Sequence, residues 1–257
     1  MLPIKNYYYS IMRPLHKVKN KSLIEISNLE ITFDQIKVID QVSLAFQTGD
    51  QVALIGANGA GKTTLLRVIL GLIKADAGEV KIQKNLSVGY LPQVLSLGDR
   101  LFPMTVKEVV SQGLIAKKSF PRWLNQADQK AIENTLKKFS LFPLQNHRFS
   151  LLSLGQKQMV LFARMMVQKP DIVFLDEPTS SLDVSRKDSI YDILSQLKRA
   201  KTPYVIITHD LPSFSSHIKR VIYLEHKILF DGSYDAFCEH PEFSPFIHTH
   251  GDHHHDH

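Results

Sequence analysis

The sequence predicts an α/β fold: a mostly parallel sheet core, an antiparallel β part and a helical insertion. Three observations predict it. Short apolar runs alternate along much of the chain with segments of helical spacing, the pattern of parallel strands joined by helices. The first two runs follow each other after only three residues, which suits antiparallel pairing. Between Val94 and Leu151, 58 residues show no convincing strand, so a helical block interrupts the alternation.

In chain order, LIEISNLEITF (Leu23 to Phe33) and KVIDQVSLAF (Lys37 to Phe46) place apolar residues at alternating positions and read as the antiparallel pair. QVALIG (Gln51 to Gly56) is a continuous apolar run and reads as a buried strand. The following ANGAGKTTLLRVILGLI opens from a glycine-rich turn into an amphipathic helix expected to end near Gly71. EVKIQ and LSVGYLPQ read as strands. Inside the helical block, QADQKAIENTLKKFSLF sets Ala131, Ile132, Leu136 and Phe139 at helical spacing. Strands return with DIVFLDE (Asp171 to Glu177) and PYVIITHD (Pro203 to Asp210), and RVIYLEHKILFDG reads as a closing hairpin. Such a sheet binds ligands at the carboxyl ends of its strands.

The expected organisation is a basic flexible extension over residues 1–21, one domain over 22–247 with a helical subdomain at about 94–168, and a histidine-rich tail over 248–257. At 257 residues and 44% hydrophobic content, the chain buries a sizeable core. Its net charge of +6 is concentrated at one end: Lys5, Arg13, Lys17, Lys19 and Lys21 precede the first acidic residue. The remainder carries 26 basic against 25 acidic residues, so the body is no basic clamp for nucleic acid, and no nucleic-acid partner is expected. The basic leader lacks the apolar core of about 7 to 15 residues that a secretory signal requires. No apolar run reaches the roughly 18 residues that span a bilayer. A single cysteine, Cys238, fits a reducing compartment.

The chemistry concentrates in two motifs. GANGAGKTT (Gly56 to Thr64) satisfies G-x-x-x-x-G-K-[ST] between a buried strand and a helix, the context of a P-loop. Polyphosphate is wrapped by backbone N–H groups that only a glycine-rich segment presents so closely, and the helix N-terminus adds a favourable dipole. Gly56, Asn58, Gly59 and Gly61 belong to the cradle. Lys62 is expected to reach the β and γ phosphates, Thr63 to place its hydroxyl on Mg²⁺, and Thr64 to extend the contacts. DIVFLDE is the second motif, an apolar strand ending in two carboxylates. Adjacent side chains on a strand point to opposite sides, so Asp176 and Glu177 are expected to divide the work: one holds Mg²⁺ and the other activates water.

LSLGQKQ (Leu152 to Gln158), lying between these motifs, resembles the LSGGQ signature of the ATP-binding cassette ATPases, and the resemblance runs through residues 24–247 in family order. It implies an ABC-type nucleotide-binding domain with a RecA-like parallel core. It further implies that Phe33 stacks on adenine, that Gln93 is the Q-loop glutamine and touches Mg²⁺, that Asp183 of SLD links the two sites, and that His209 steadies the γ-phosphate. Glu177 would be the general base. The family packs two cassettes head to tail, so Ser153, Gly155 and Gln156 would meet ATP held by a second copy. Leu154 departs from the pattern, standing where the signature has its first glycine; helical or extended backbone is expected there, with activity retained.

The stretches NLSVGYLPQ, FPMTVKEVV and HPEF, with the histidine-rich end, resemble most the cytoplasmic ATPase of bacterial zinc-uptake transporters. That resemblance implies integral-membrane permease subunits, a periplasmic or extracellular metal-binding protein, and a peripheral position on the cytoplasmic face of the cell membrane. Manganese or iron import and a non-transport ABC ATPase of the iron–sulfur assembly type are the competing readings. The tail itself carries His248, His250, His253, His254, His255 and His257, imidazoles that suit Zn²⁺, with Asp252 or Asp256 as auxiliary ligands. Its interruptions favour a natural segment over an expression tag.

Overall fold

The computed structural model describes residues 22–92, 103–115, 123–179 and 184–243, apart from the side chains of residues 184–186. In chain order the elements are β1 (Ser22–Phe33), β2 (Ile36–Gln47), β3 (Gln51–Ile55), α1 (Lys62–Ile69), β4 (Ala77–Ile82), β5 (Val88–Leu91), α2 (Val106–Ile115), α3 (Gln126–Lys138), α4 (Leu154–Met166), β6 (Ile172–Asp176), α5 (Val184–Arg199), β7 (Tyr204–Ile207), β8 (Arg220–Glu225), β9 (Lys227–Ser233) and α6 (Tyr234–Glu239). They form two sheets. One is antiparallel, in the order β2-β1-β4; the other is six-stranded, in the order β5-β6-β7-β3-β8-β9, parallel except for the β8–β9 hairpin.

The antiparallel sheet departs from simple alternation at two points. Along β1 the buried series Ile24, Ile26 resumes at Leu29 and Ile31, because Asn28 adopts φ 48° and forms a bulge. Along β2, Gln41 at φ 51° shifts the series from Ile39 to Val42, Leu44 and Phe46 in the same way. A single extra residue restores every apolar side chain to the buried face. The Ser43 hydroxyl accepts from Asn28 N–H at 2.8 Å and fixes the first bulge.

In the parallel sheet, the period of two divides the hydrophobic interior into two cores. Ala53, Val173, Leu175, Tyr204, Ile206 and Val221 face one; their neighbours Val52, Ile172, Phe174, Val205, Ile207 and Ile222 face the other. The first core is shared with the helical block, whose Val106, Val109, Leu136 and Phe162 pack into it, so the block extends the main core. The second core is shared with the antiparallel sheet and α1. Arg220 ties sheet to sheet on this side. Its guanidinium donates to Asp231 through Nε and Nη2, each at 2.6 Å, and through Nη1 to Asp50 at 3.1 Å and to the Ala45 carbonyl at 2.8 Å.

Helix ends follow the local chemistry. α1 stops at Ile69, with Gly71 at φ 69° and backbone bonds from Gly71 N–H to Val68 and from Leu72 N–H to Arg67. α3 and α4 both begin in capping boxes, Asn125 with Asp128 and Ser153 with Gln156. Among the described residues no helix is long and apolar enough to cross a membrane.

Candidate active site

The site forms where the carboxyl ends of β3, β6 and β7 meet the start of α1. A cleft of ≈ 390 Å³ is lined by residues 58–64 together with Asp176, Glu177, Ile207 and His209. The P-loop, the acidic strand end and the histidine lie far apart along the sequence, and the parallel order of these strands brings them to one place.

The loop is held from inside. Lys62 Nζ donates to the carbonyls of Gly56 at 2.7 Å and Ala57 at 2.9 Å, which curls the loop around the ammonium, and Ala60 N–H closes the turn on the Ala57 carbonyl at 3.1 Å. Burial holds the Lys62 pKa below the ordinary lysine value, against the pull of Glu177 and Asp176. Gly61 precedes α1 at φ 97°, and a Cβ there would stand 2.6 Å from Ile39 Cδ1 and 2.7 Å from the Val38 carbonyl. Glycine is required at this position by both backbone and space.

The two carboxylates do not face opposite sides, contrary to the sequence expectation. Strand β6 ends at Asp176, and Glu177 lies beyond it at φ 50°, a left-handed backbone to which strand alternation does not apply. The turn returns Glu177 to the cleft that Asp176 lines, while its N–H continues the ladder to the Ile207 carbonyl at 3.0 Å. Burial first, then the adjacent Glu177, raise the Asp176 pKa; Lys62, Arg67 and a hydrogen bond from Tyr90 oppose the rise. Tyr90, on the neighbouring strand β5, is itself pushed up to about 12 by burial and by Asp176. His209 Nδ1–H donates to Glu177 Oε1 at 3.0 Å, with the imidazole largely exposed.

The donor set fits a hard divalent cation. Thr63 and Asp176 both line the cleft and offer a hydroxyl and a carboxylate, and crowded anionic oxygens in a buried setting favour an oxygen-seeking ion such as Mg²⁺. Phe33 ends β1 and is 44% exposed, outside the cleft lining but open to offer a ring face. Ser153, Gly155 and Gln156 do not line the cleft. Ser153 caps α4, and Gly155 and Gln156 border a separate depression beside α3 and α5. Leu154 begins α4 in ordinary helical backbone, so leucine carries no left-handed strain there. Gln93, Asp183 and the six tail histidines lie outside the described residues. Among the described residues no group of three or more His, Cys, Asp or Glu is placed to hold a metal.

Two contacts escaped sequence reasoning. Tyr90 supports Asp176, and buried Gln158 of α4 donates its amide to the carbonyl of Pro178, next to Glu177. A tyrosine near the end of a strand run carries no signal of its own. Gln158, polar on a helix face otherwise committed to the core, did carry one.

The model of the ABC transporter family matches residues 39–180, more than half of the chain. The chain belongs to the ABC transporter family. Relatives extend the match beyond that span. Zinc uptake system ATP-binding protein ZurA of Listeria innocua is 33% identical over 220 residues, covering 82% of this chain and 86% of that protein. Zinc import ATP-binding protein ZnuC of Ehrlichia chaffeensis is 36% identical over 228 residues, covering 88% and 90%. A dimeric bacterial ABC transporter cassette superposes with a TM-score of 0.70 at 27% identity, over 82% of this chain and 98% of that one. A nucleotide-free cassette from another ABC transporter shows the same fold, with a TM-score of 0.75 at 23% identity over 88% and 98%. As an ABC cassette the protein is an ATPase that uses ATP and Mg²⁺, and it belongs with a second copy and a membrane permease.

Proposed function

We propose that this ABC ATPase energises zinc uptake through its permease, with the cleft between the P-loop and β6 as the hydrolysis site. The observation that carries the chemistry is the convergence of Lys62, Asp176, Glu177 and His209 on one cleft. The zinc assignment is supported by the relatives named for zinc uptake and import. It places the protein on the cytoplasmic face of the membrane, working with a binding protein outside.

In this reading the loop N–H groups and Lys62 hold the polyphosphate, and Phe33 stacks on the base. Thr63, Asp176 and Gln93 would hold Mg²⁺, and the ion would supply positive charge beside the transferred phosphoryl group. Glu177 accepts the proton of the attacking water; such a base contributes about 10² to 10⁴ in rate. His209 keeps Glu177 oriented through its Nδ1–H and would steady the γ-phosphate from the cleft it lines. Ser153, Gly155 and Gln156 complete the partner's site, and Asp183 links the two. ATP then acts as a ligand of the pair, stabilising the closed dimer until cleavage.

Leu154→Gly, on this reading, changes kcat for ATP by less than about threefold, because Ser153 and Gly155 keep their helical frame; it lowers stability by about 0.5 to 1 kcal/mol through the glycine. Steady-state phosphate release and thermal unfolding measure the two effects. A large rate change would show that leucine itself contacts the partner.

The deciding experiment reconstitutes the full chain with its permease and binding protein in vesicles and compares hydrolysis with Zn²⁺, Mn²⁺ and Fe²⁺ on the binding-protein side. Zinc should stimulate most; stimulation by manganese or iron alone reassigns the cargo, and hydrolysis indifferent to all three favours a non-transport ATPase. The histidine tail is assigned a second role, binding cytoplasmic Zn²⁺ and damping turnover. Removing residues 249–257 should then abolish inhibition by zinc on the ATPase side, whereas an unchanged response removes the tail from regulation.

A further inference from the structure

His226 occupies the turn between β8 and β9 and bonds to both the P-loop and β2. Its backbone N–H donates to the Ala60 carbonyl of the P-loop at 3.1 Å, and its carbonyl accepts from Asp40 N–H of β2 at 2.8 Å. Its side chain adds a third bond, Nδ1 to the Val38 carbonyl at 3.1 Å. A carbonyl only accepts, so Nδ1 carries the proton. The backbone at 226 is left-handed, φ 59°. Nothing in the hydrolytic mechanism uses this residue.

The position of Val38 gives the bond its meaning. The β1–β2 hairpin pairs Phe33 with Ile36 and Thr32 with Lys37, so Val38 lies beside the end of the hairpin that carries Phe33. The same Val38 carbonyl occupies the space a Cβ on Gly61 would need, at 2.7 Å, and Gly61 is the last loop residue before α1. Lys227, next to His226, reaches Asp40 of β2 at 2.8 Å and reinforces the junction from the solvent side.

We infer that His226 is a positioning residue that fixes the spacing between the base-stacking hairpin and the phosphate loop, and so contributes to affinity for the whole nucleotide rather than for its phosphates. The inference rests on the reading of Phe33 as the base platform. The P-loop keeps its own bond to the backbone N–H of residue 226 whatever the side chain, so phosphate binding should change less than binding of the whole nucleotide. β2 likewise keeps its backbone bond at Asp40, so what the side chain adds is the hold on Val38, nearer the hairpin end that carries Phe33.

The test measures dissociation constants of the full chain for Mg-ADP and for Mg-pyrophosphate by calorimetry. Both ligands avoid turnover, and only ADP carries the base. His226→Asn keeps a donor near Nδ1 and tolerates the left-handed backbone; His226→Asp has the same shape without the donor, and His226→Gly removes the side chain. The readout is the preference for ADP over pyrophosphate, which a general loosening leaves alone and which the added charge of the Asp variant would raise, since Mg-pyrophosphate is the more anionic ligand, so a fall in that variant cannot come from charge. Loss of one hydrogen bond should reduce that preference about fivefold in the Gly and Asp variants and leave the Asn variant within about twofold of the parent. An undiminished preference in both Gly and Asp variants overturns the role, as does an equal loss in the Asn variant. If the Gly variant fails to fold, the Asn and Asp pair decides alone. A parent protein that binds the two ligands equally would instead overturn the nucleotide reading of the cleft, a result distinct from failure of His226.

Discussion

Replacing Glu177 with Gln is expected to lower kcat for ATP hydrolysis by about 10² to 10⁴ while leaving ATP binding intact. Among the described residues of the cleft, this carboxylate is the one placed to accept a proton that is neither a phosphate ligand nor committed to the cation in the proposed mechanism. A carboxamide keeps the size and the hydrogen bond to His209 Nδ1–H through its oxygen, so the imidazole stays in place. The left-handed backbone makes the same demand on Gln as on Glu, so stability should hardly change. The consequence reaches the assembly: if cleavage separates the pair, the variant should accumulate as a long-lived ATP-bound dimer, visible by light scattering after gel filtration with Mg-ATP. Turnover within about tenfold of the parent would remove Glu177 from the role of base.

Gly61→Ala is expected to damage the protein in the absence of any nucleotide. The added methyl meets Ile39 Cδ1 at 2.6 Å and the Val38 carbonyl at 2.7 Å, and φ 97° is a conformation that alanine resists. The side-chain contact can yield, but the carbonyl belongs to β2 and cannot move without the sheet. A loss of about 2 to 3 kcal/mol follows, a fall of roughly 5 to 10 °C in Tm. Gly59→Ala provides the control: it is also left-handed, φ 83°, but has no atom within 4 Å of the new methyl, so only the backbone penalty remains. The difference between the two melting temperatures isolates the clash. ATP affinity of the Gly61 variant should fall more than about tenfold, because relief of the clash displaces the loop that cradles phosphate.

Much of this site was legible in the sequence because its chemistry is local. GANGAGKTT contains its own turn, donors and helix start, and the strands either side announce themselves by unbroken apolar runs. Asp176 and Glu177 were legible as a pair, but their orientation was not, since nothing in DIVFLDE states that the strand ends one residue early and the next backbone turns left-handed. The capping box at Ser153 and Gln156 is a pattern at fixed spacing, and it settles the backbone at Leu154. Contacts between distant segments were harder to read: Gln158 was marked as a buried polar residue but its partner Pro178 was not, and Tyr90 with Asp176 and His226 with Val38 depend on which segments the fold brings together. The bulges at Asn28 and Gln41 were visible only as a slip in alternation, because the apolar spacing widens from two to three at each.

The strained dihedral at residue 177 has a practical bearing on engineering. A left-handed non-glycine residue sacrifices about 1 to 2 kcal/mol, and glycine at that place would recover much of it. A screen that ranks variants by heat resistance alone would therefore be drawn toward sturdier proteins that no longer turn over. Selection for robustness and selection for throughput pull in opposite directions at this one torsion angle.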